Sequence, residues 1–266
     1  MTTNKKVIFI VPYRDRAAEK TEFIQAMSQQ NVDMEIYFVH QADNRPFNRG
    51  AMKNIGFLFL RDKYRDSYAN TTFVFNDVDT YPRAPLQLNY ATTPGFIKHF
   101  YGFRHALGGI VSICGADFER IGGFPNLWAW GYEDNMLQMR ALQAKLTIDR
   151  SQFYPIHDNQ IVHSNNQPNS NMRLVSQQEF FRAYNNQAGG FASIHQAETK
   201  PDINSDKNCN MIHVSAFECE APVPNANNLL EFDLRNGEPW WNPATKYMVS
   251  KNMKNSFNKI LFHNSL

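Results

Sequence analysis

The chain has 266 residues, 42% of them apolar and 20% charged, with a formal net charge of +2; this is the balance of one large folded domain, or of one domain with an extension. So small a charge excludes wholesale binding along a phosphate backbone, and no nucleic-acid partner is expected. The three cysteines, Cys114, Cys209 and Cys219, show no C-x-x-C spacing and no apolar run reaches about 18 residues, so a disulfide framework, a thiolate zinc site and a membrane-spanning helix are not indicated.

The N-terminus leads directly into an apolar, β-branched run, Val7 to Val11, which predicts a buried first strand ended by Pro12. Residues 1–6 do not read as a signal peptide or membrane anchor, and a soluble chain is expected. Tyr13 to Arg16 follows as a loop in which Arg14 and Arg16 share a side if the backbone is extended, an arrangement that suits a phosphate or a base carbonyl, or a plain surface pair. Ala17 to Gln30 has helical composition, and Met34 to Val39 predicts a second strand. From Phe47-Asn48-Arg49 a helix runs to about Tyr64, with Ala51, Ile55, Leu58 and Phe59 at helical spacing. Asn48 and Arg49 then stand at its start, where donors meet an anion.

Phe73 to Asn76 is a short strand, followed by Asp77 and Asp79 with Val78 between them. On an extended chain both acids point to one side, just past a buried strand, where ligands sit in open α/β sheets. Two like charges at that spacing call for a cation, and hard oxygen ligands suit Mg²⁺ or Mn²⁺ bridging to substrate phosphates. The alternative is a strand-end turn with solvated acids.

Residues 83 to 107 are rich in loop formers. Leu107 to Cys114 predicts a strand whose Gly108-Gly109 pair admits a close backbone or ligand approach. Asp117 to Ile121 is a short helix ended by Gly122-Gly123. The densest stretch is Gly123 to Asn135, in which Trp128, Trp130 and Tyr132 surround Gly131, and Glu133 and Asp134 open a helix running to about Leu146. Acids in a first turn favour the helix dipole; alternatively, aromatic faces stack on sugar rings while a carboxylate takes a hydroxyl proton. Ile161 to Ser164 predicts a strand end carrying His163. Residues 165 to 176 form a long polar loop, a candidate lid. Gln178 to Asn186 is helical, Met211 to Phe217 and Leu229 to Leu234 are late strands, and 236 to 266, with Trp240-Trp241, is an extension without an assigned role. Strands alternating with helices predict a mainly parallel, doubly wound α/β sheet.

These stretches, in this order, resemble the β-1,4-galactosyltransferase family. The resemblance rests on Pro12-Tyr13-Arg14-Asp15-Arg16, Phe47-Asn48-Arg49, Asn54-Ile55-Gly56-Phe57, Phe73 to Pro82, Gly108-Gly109, Gly122 to Asn126, Trp128 to Asp134 and His163-Ser164. It covers residues 5 to 165 well and echoes to about 235, so residues 1–235 are expected to form a catalytic domain. It implies a GT-A nucleotide-sugar-binding fold, Mn²⁺ or Mg²⁺ as cofactor, a UDP-sugar donor and a glycan or glycoside acceptor. By the same resemblance Asp79, His163 and Gln160 are metal ligands. Pro12, Tyr13, Arg14, Arg16, Phe47, Arg49, Asp77, Val78 and Gly109 line the donor site, with Trp130 against donor and acceptor sugars. Glu133 holds sugar hydroxyls and Asp134 is the catalytic base. The chain departs from the family at Gln160, where methionine is usual, at Asn135, where an acid is usual, and at Ala106, where a bulky tyrosine crowds the donor's 2-substituent. Galactose from UDP-galactose is the expected cargo, with UDP-GalNAc, UDP-glucose or UDP-xylose as alternatives and a non-catalytic sugar-binding module as a further one. A cytoplasmic location, in a microbial or virus-infected host cell, is the expectation for a chain without the family's anchor.

Overall fold

A computed structural model describes residues 6–164, 172–184, 189–203 and 209–233. The sequence expectations for 165–171, for Asn185 and Asn186, for Leu234 and for the extension at 236–266 lie outside these residues.

The frame is a mixed sheet whose strands run in the order β11-β12-β2-β1-β3-β6-β5-β7. Its centre is parallel: β1 (Val7–Tyr13) lies between β2 (Met34–Gln41) and β3 (Thr72–Asn76), and β12 (Cys209–Glu218) joins β2 on the far side. β6 (Ile110–Cys114) is antiparallel to β3, and β5 (Phe96–Gly102) to β6. The short strands β7 (Thr147–Asp149) and β8 (Tyr154–Pro155) run parallel to β5, and β11 (His195–Asp202) closes the other edge antiparallel to β12. Successive side chains alternate between faces. Ile8, Ile10, Phe73 and Phe75 therefore enter one core with helix α2 (Arg49–Lys63), while Val7, Phe9, Val11 and Val74 enter the other with helix α1 (Ala17–Met27). Burial on both faces explains why the central strands are continuous apolar runs. α2 presses close to the sheet because Gly56 has no side chain: a Cβ there would stand 2.6 Å from Val39 Cγ2.

Three expectations are corrected. The stretch 83 to 107 contains β5, whose Ile97, His99, Phe100 and Tyr101 are buried. Met172–Ser176, expected as loop, is strand β10, paired antiparallel with β13 (Leu229–Asp233). Pro12 does not end β1: the strand continues beside β2 to Tyr13, and its register with β3 has already stopped at Ile10, so Pro12 lacks a β3 neighbour to which it would owe a hydrogen bond. Among the described residues no helix is long and apolar enough to cross a membrane.

Candidate active site

The parallel strands deliver their carboxyl ends, and the residues singled out in the sequence, to one edge of the sheet. Helix α2 opens there because Asn48 caps it, its side chain accepting from the Ala51 amide at 2.9 Å. Arg49 is thereby fixed in the first turn. Its Nε and Nη2 donate to the two carboxylate oxygens of Asp77 at 2.9 and 2.7 Å, and its Nη1 donates to both oxygens of Asp134 at 3.0 and 3.1 Å. One turn later the Nζ of Lys53 lies 3.7 Å from each of the same acids. One guanidinium thus joins the acid after β3 to the acid that opens helix α4 (Glu133–Gln143).

The two aspartates after β3 part company. They sit in a turn closed by the Thr80 amide donating to Asp77 O at 3.1 Å, and Asp77 pairs with Arg49 of α2. Asp79 meets His163 instead. Strand β4 (Thr80–Pro82) pairs antiparallel with β9 (Ile161–His163), placing Thr80 opposite His163, and His163 Nε2 stands 3.9 Å from Asp79 Oδ2. Gln160 is one residue ahead of β9; its backbone amide donates to Asp158 and its carbonyl accepts from the Arg83 amide. The β4–β9 ladder brings Asp79 and His163 together and leaves the Gln160 backbone at its far end, beside Arg83.

The electrostatics separate the acids further. Burial alone would push Asp77 up, but Arg49 and Lys53 hold it below the ordinary carboxylate range. Burial and the charge of Asp77 push Asp79 above that range. Lys53, buried and beside Arg49, is shifted down. Burial pushes the Glu133 carboxyl up to about 7; Arg49 opposes this and Asp134 reinforces it. The folded state thus binds a proton at Glu133 that an unfolded chain releases near pH ~4.3. Stability on this account falls as pH rises from about 4.3 to about 7. Glu133→Gln should abolish that fall: between pH 5 and 8 the wild type should lose melting temperature relative to the variant, by the equivalent of up to ~3 kcal/mol. Parallel melting curves across this range would contradict the shift.

The loop before α4 carries two tryptophans with opposite fates. Trp128 is buried, stacked on Phe217 with ring centroids 5.3 Å apart, and its indole N–H donates to Ala221 O. Trp130 is 38% exposed at the site's rim. Tyr132 and Gly131 take left-handed conformations, φ +69° and +109°, which turn the chain sharply into α4. Gly108 has no side chain because Asp134 occupies that space: a Cβ would stand 2.2 Å from Asp134 Oδ2. Gly109, also left-handed, accepts from the Asp77 amide, with Tyr101 O only 2.5 Å from where a Cβ would be. Val78 is buried beneath the turn.

The remaining predicted donor-site residues line one flank. Asp15 adopts φ +52°, so Arg14 and Arg16 do not share a side. Arg14 lies over the Phe47 ring at 5.1 Å and donates to Arg45 O, whereas Arg16 pairs with Glu19 at 3.1 Å. Tyr13 meets Phe38 and His40 edge to face. Three residues were not singled out in the sequence. Lys53 could have been, from its four-residue spacing to Arg49. His40, whose Nδ1 is 3.0 Å from that of His213, and Arg173, 5.7 Å from the Trp130 ring and in the field of Asp79 and Arg16, carry no motif.

Among the described residues no group of three or more His, Cys, Asp and Glu side chains is set to hold a metal. The pair Asp79 and His163 nevertheless fits a divalent cation: one oxygen and one nitrogen ligand, with the carboxylate pushed upward by burial and by the charge of Asp77.

Residues 1–90 match the family model for the N-terminal region of glycosyl transferase group 7, and residues 95–164 match that for the N-terminal domain of galactosyltransferase. A xylosylprotein 4-beta-galactosyltransferase of Caenorhabditis elegans is 32% identical over 162 residues, covering 56% of this chain and 54% of the relative. Beta-1,4-galactosyltransferase 7 of Drosophila melanogaster is 30% identical over 160 residues, covering 55% and 48%. The chain spans about half the length of the curated relatives it matches. The crystallised catalytic domain of Drosophila beta-1,4-galactosyltransferase 7, in complex with xylobiose, superposes with a TM-score of 0.65 at 21% identity, over 82% of this chain and 96% of that one. A mutant of that Drosophila enzyme has been crystallised with manganese, UDP-Gal and xylobiose. This structural likeness is one of fold: the mainly parallel α/β sheet of the GT-A galactosyltransferases.

Proposed function

Since this chain belongs to the β-1,4-galactosyltransferase family, we propose that it is an inverting, metal-dependent glycosyltransferase that moves galactose from UDP-galactose to a sugar hydroxyl, with Asp134 as base. The observation that carries this reading is the Arg49 bridge. It fixes the acid on the nucleotide side, Asp77, and the acid on the acceptor side, Asp134, to one guanidinium. A donor lying along the sheet edge with its uridine toward Phe47 then has its anomeric carbon near Asp134.

In this proposal Arg14, Phe47, Pro12 and Tyr13 hold the uridine, Asp77 and Val78 the ribose side, and Arg16 the diphosphate. Gly109 lets the donor approach the backbone. Asp79 and His163 hold the cation. A divalent cation bound there supplies neutralisation of the diphosphate's negative charge. Asp134 accepts the acceptor hydroxyl's proton as that oxygen bonds to C1, while the bond from C1 to the UDP oxygen breaks and configuration inverts. Glu133, poised near neutrality, bonds sugar hydroxyls. Trp130 offers an apolar face to the sugar rings and excludes water. The acceptor is a glycan or glycoside.

A second donor, UDP-GalNAc, is favoured by one observation. Ala106 is buried in the turn whose next residue, Leu107, donates its amide to Asp134 O, so a small side chain stands beside the base where a bulky one would narrow the site.

The test is titration calorimetry with UDP, UDP-galactose and UDP-GalNAc, with and without Mn²⁺. The wild type should bind UDP in a Mn²⁺-dependent manner, and Asp79→Ala should lose at least the ~10- to 100-fold affinity that removal of even an outer-shell partner of a metal ligand costs. Binding that ignores both the cation and Asp79 would end the proposal.

A further inference from the structure

We propose that Glu179 is a positioning residue for the transfer reaction, gripping from helix α5 the loop that carries Trp130 and leads into Glu133 and Asp134. This rests on the glycosyltransferase reading above.

Three consecutive backbone N–H groups of that loop are captured by one segment of chain. The Trp128 amide donates to Glu179 Oε1 at 2.8 Å, and the Ala129 amide to Glu179 Oε2 at 2.6 Å. The Trp130 amide donates to Leu174 O at 2.8 Å. Leu174 lies on β10, and Glu179 on α5 (Gln177–Tyr184), which follows β10 without a break. Amides that point together in a turn would otherwise need water or an anion. Here a buried carboxylate serves two of them and a strand carbonyl the third. Glu179 is itself held, its amide donating to Ser176 Oγ at 3.3 Å. Such charge-assisted bonds are the strong kind, and in a buried place they are directional.

The grip has a chemical consequence. Beyond Trp130 only Gly131 and Tyr132 intervene before Glu133 and Asp134, and both are fixed in left-handed conformations. The chain has no slack there, so the position of the 128–130 backbone sets the indole of Trp130 and the first turn of α4 together. Trp128 anchors the front of the loop independently, through Ala221. Without Glu179 the loop stays attached through the Trp128 indole and through Leu174 O, but the backbone between those two anchors loses two of its three acceptors and is free to shift. A misplacement of about 1 Å in such a group is enough to cost about 10²-fold in rate.

The experiment compares the full chain with Glu179→Gln and Glu179→Asp. Glutamine keeps the size but turns an NH₂ donor toward one of two N–H donors. Aspartate keeps two acceptor oxygens one methylene short. Hydrogen exchange of peptides covering 126–131 should quicken about tenfold in Glu179→Gln, with peptides from β1 and β3 unchanged. Its UDP affinity in Mn²⁺ should stay within about twofold of wild type, whereas kcat/KM for the acceptor should drop about 10²-fold, with Glu179→Asp between the two. Unchanged exchange overturns the grip. Faster exchange with unchanged kcat/KM overturns the positioning role, as does loss of UDP binding and turnover together, which marks collapse of the fold. A wild type that binds no UDP-sugar at all sinks the transferase reading itself, a result separate from any effect of position 179.

Discussion

Arg49→Ala is expected to destabilise the protein more than any other single change at the site. The guanidinium donates to four carboxylate oxygens on two elements far apart in sequence, and it is the partner through which Asp77 and Asp134 tolerate each other. Removing it leaves two acids, with Glu133 beside them, to Lys53 alone, at 3.7 Å from each aspartate. Breaking a buried ion pair from one side costs roughly 3–5 kcal/mol because the surviving charge is left uncompensated. Asp77 and Asp134 keep 26% and 24% of their side-chain surface exposed, so the lower end applies. A urea midpoint at pH 7 measures it. Arg49→Lys should recover only part, since an ammonium restores the charge but not the planar fork. The pH dependence has a definite sign. Asp77 is held below its ordinary range in the folded protein, so its contribution is present above about pH 3.9 and is lost as pH falls through the lowered folded value. The gap between wild type and Arg49→Ala should therefore narrow on acidification. Equal midpoints at pH 7 would show that the bridge is ornamental.

The elements that build this site were legible in unequal measure. β1, β2 and β3 are buried on both faces, so they announce themselves as short apolar runs, and α2 shows its helical period. β5 hid because Lys98 and His99 interrupt Phe96-Ile97 and Phe100-Tyr101 between loop-forming neighbours. Its His99 is buried, with its Nε2 3.0 Å from Tyr101 O, a neighbour that sequence spacing cannot reveal as compensation. β10 hid because its pattern is only half buried, and its strand character comes from pairing with β13, more than fifty residues downstream.

The site shows the same division. Each acid was visible where a strand or helix boundary placed it. The partnership between acids was not, because it depends on Arg49 reaching 28 residues along the chain to Asp77 and 85 to Asp134. The pairing of β4 with β9, which sets His163 against Asp79, likewise joins segments about eighty residues apart that no local pattern links. Asp77 and Asp79 also take different partners, Arg49 for the first and His163 for the second, which their spacing does not tell. Several stretches that carry the family resemblance turn out to act by holding backbone in place. The Asn54 side chain donates to Phe124 O and accepts from the Phe124 amide, and its amide group bonds Asn126, so it pins the glycine-rich segment ahead of the tryptophans.

Asp134→Asn separates holding the site together from doing chemistry in it, and it is expected to lower kcat by about 10³-fold or more while leaving Mn²⁺-dependent UDP binding near the wild-type value. The reasoning starts from the hydrogen bonds. An asparagine at 134 still offers one oxygen to Arg49 Nη1, and the Asp134 carbonyl that accepts from the Leu107 amide is backbone and unaffected. Gly108 leaves the same space for either side chain. The fold and the donor flank, formed by Arg14, Phe47, Asp77 and Asp79, are therefore conserved. What is lost is the negative charge able to take a proton from the acceptor hydroxyl, and general-base assistance alone is worth about 10²–10⁴-fold. Arg49 and Lys53, now facing one acid fewer, would bring extra positive charge beside the diphosphate, so UDP affinity should hold or rise slightly. Single-turnover transfer to an acceptor together with UDP calorimetry on the same preparation distinguishes the cases. An Asp134→Asn protein that turns over at the wild-type rate would remove Asp134 from the base role, and one that loses UDP binding as well would make it a structural partner of Arg49.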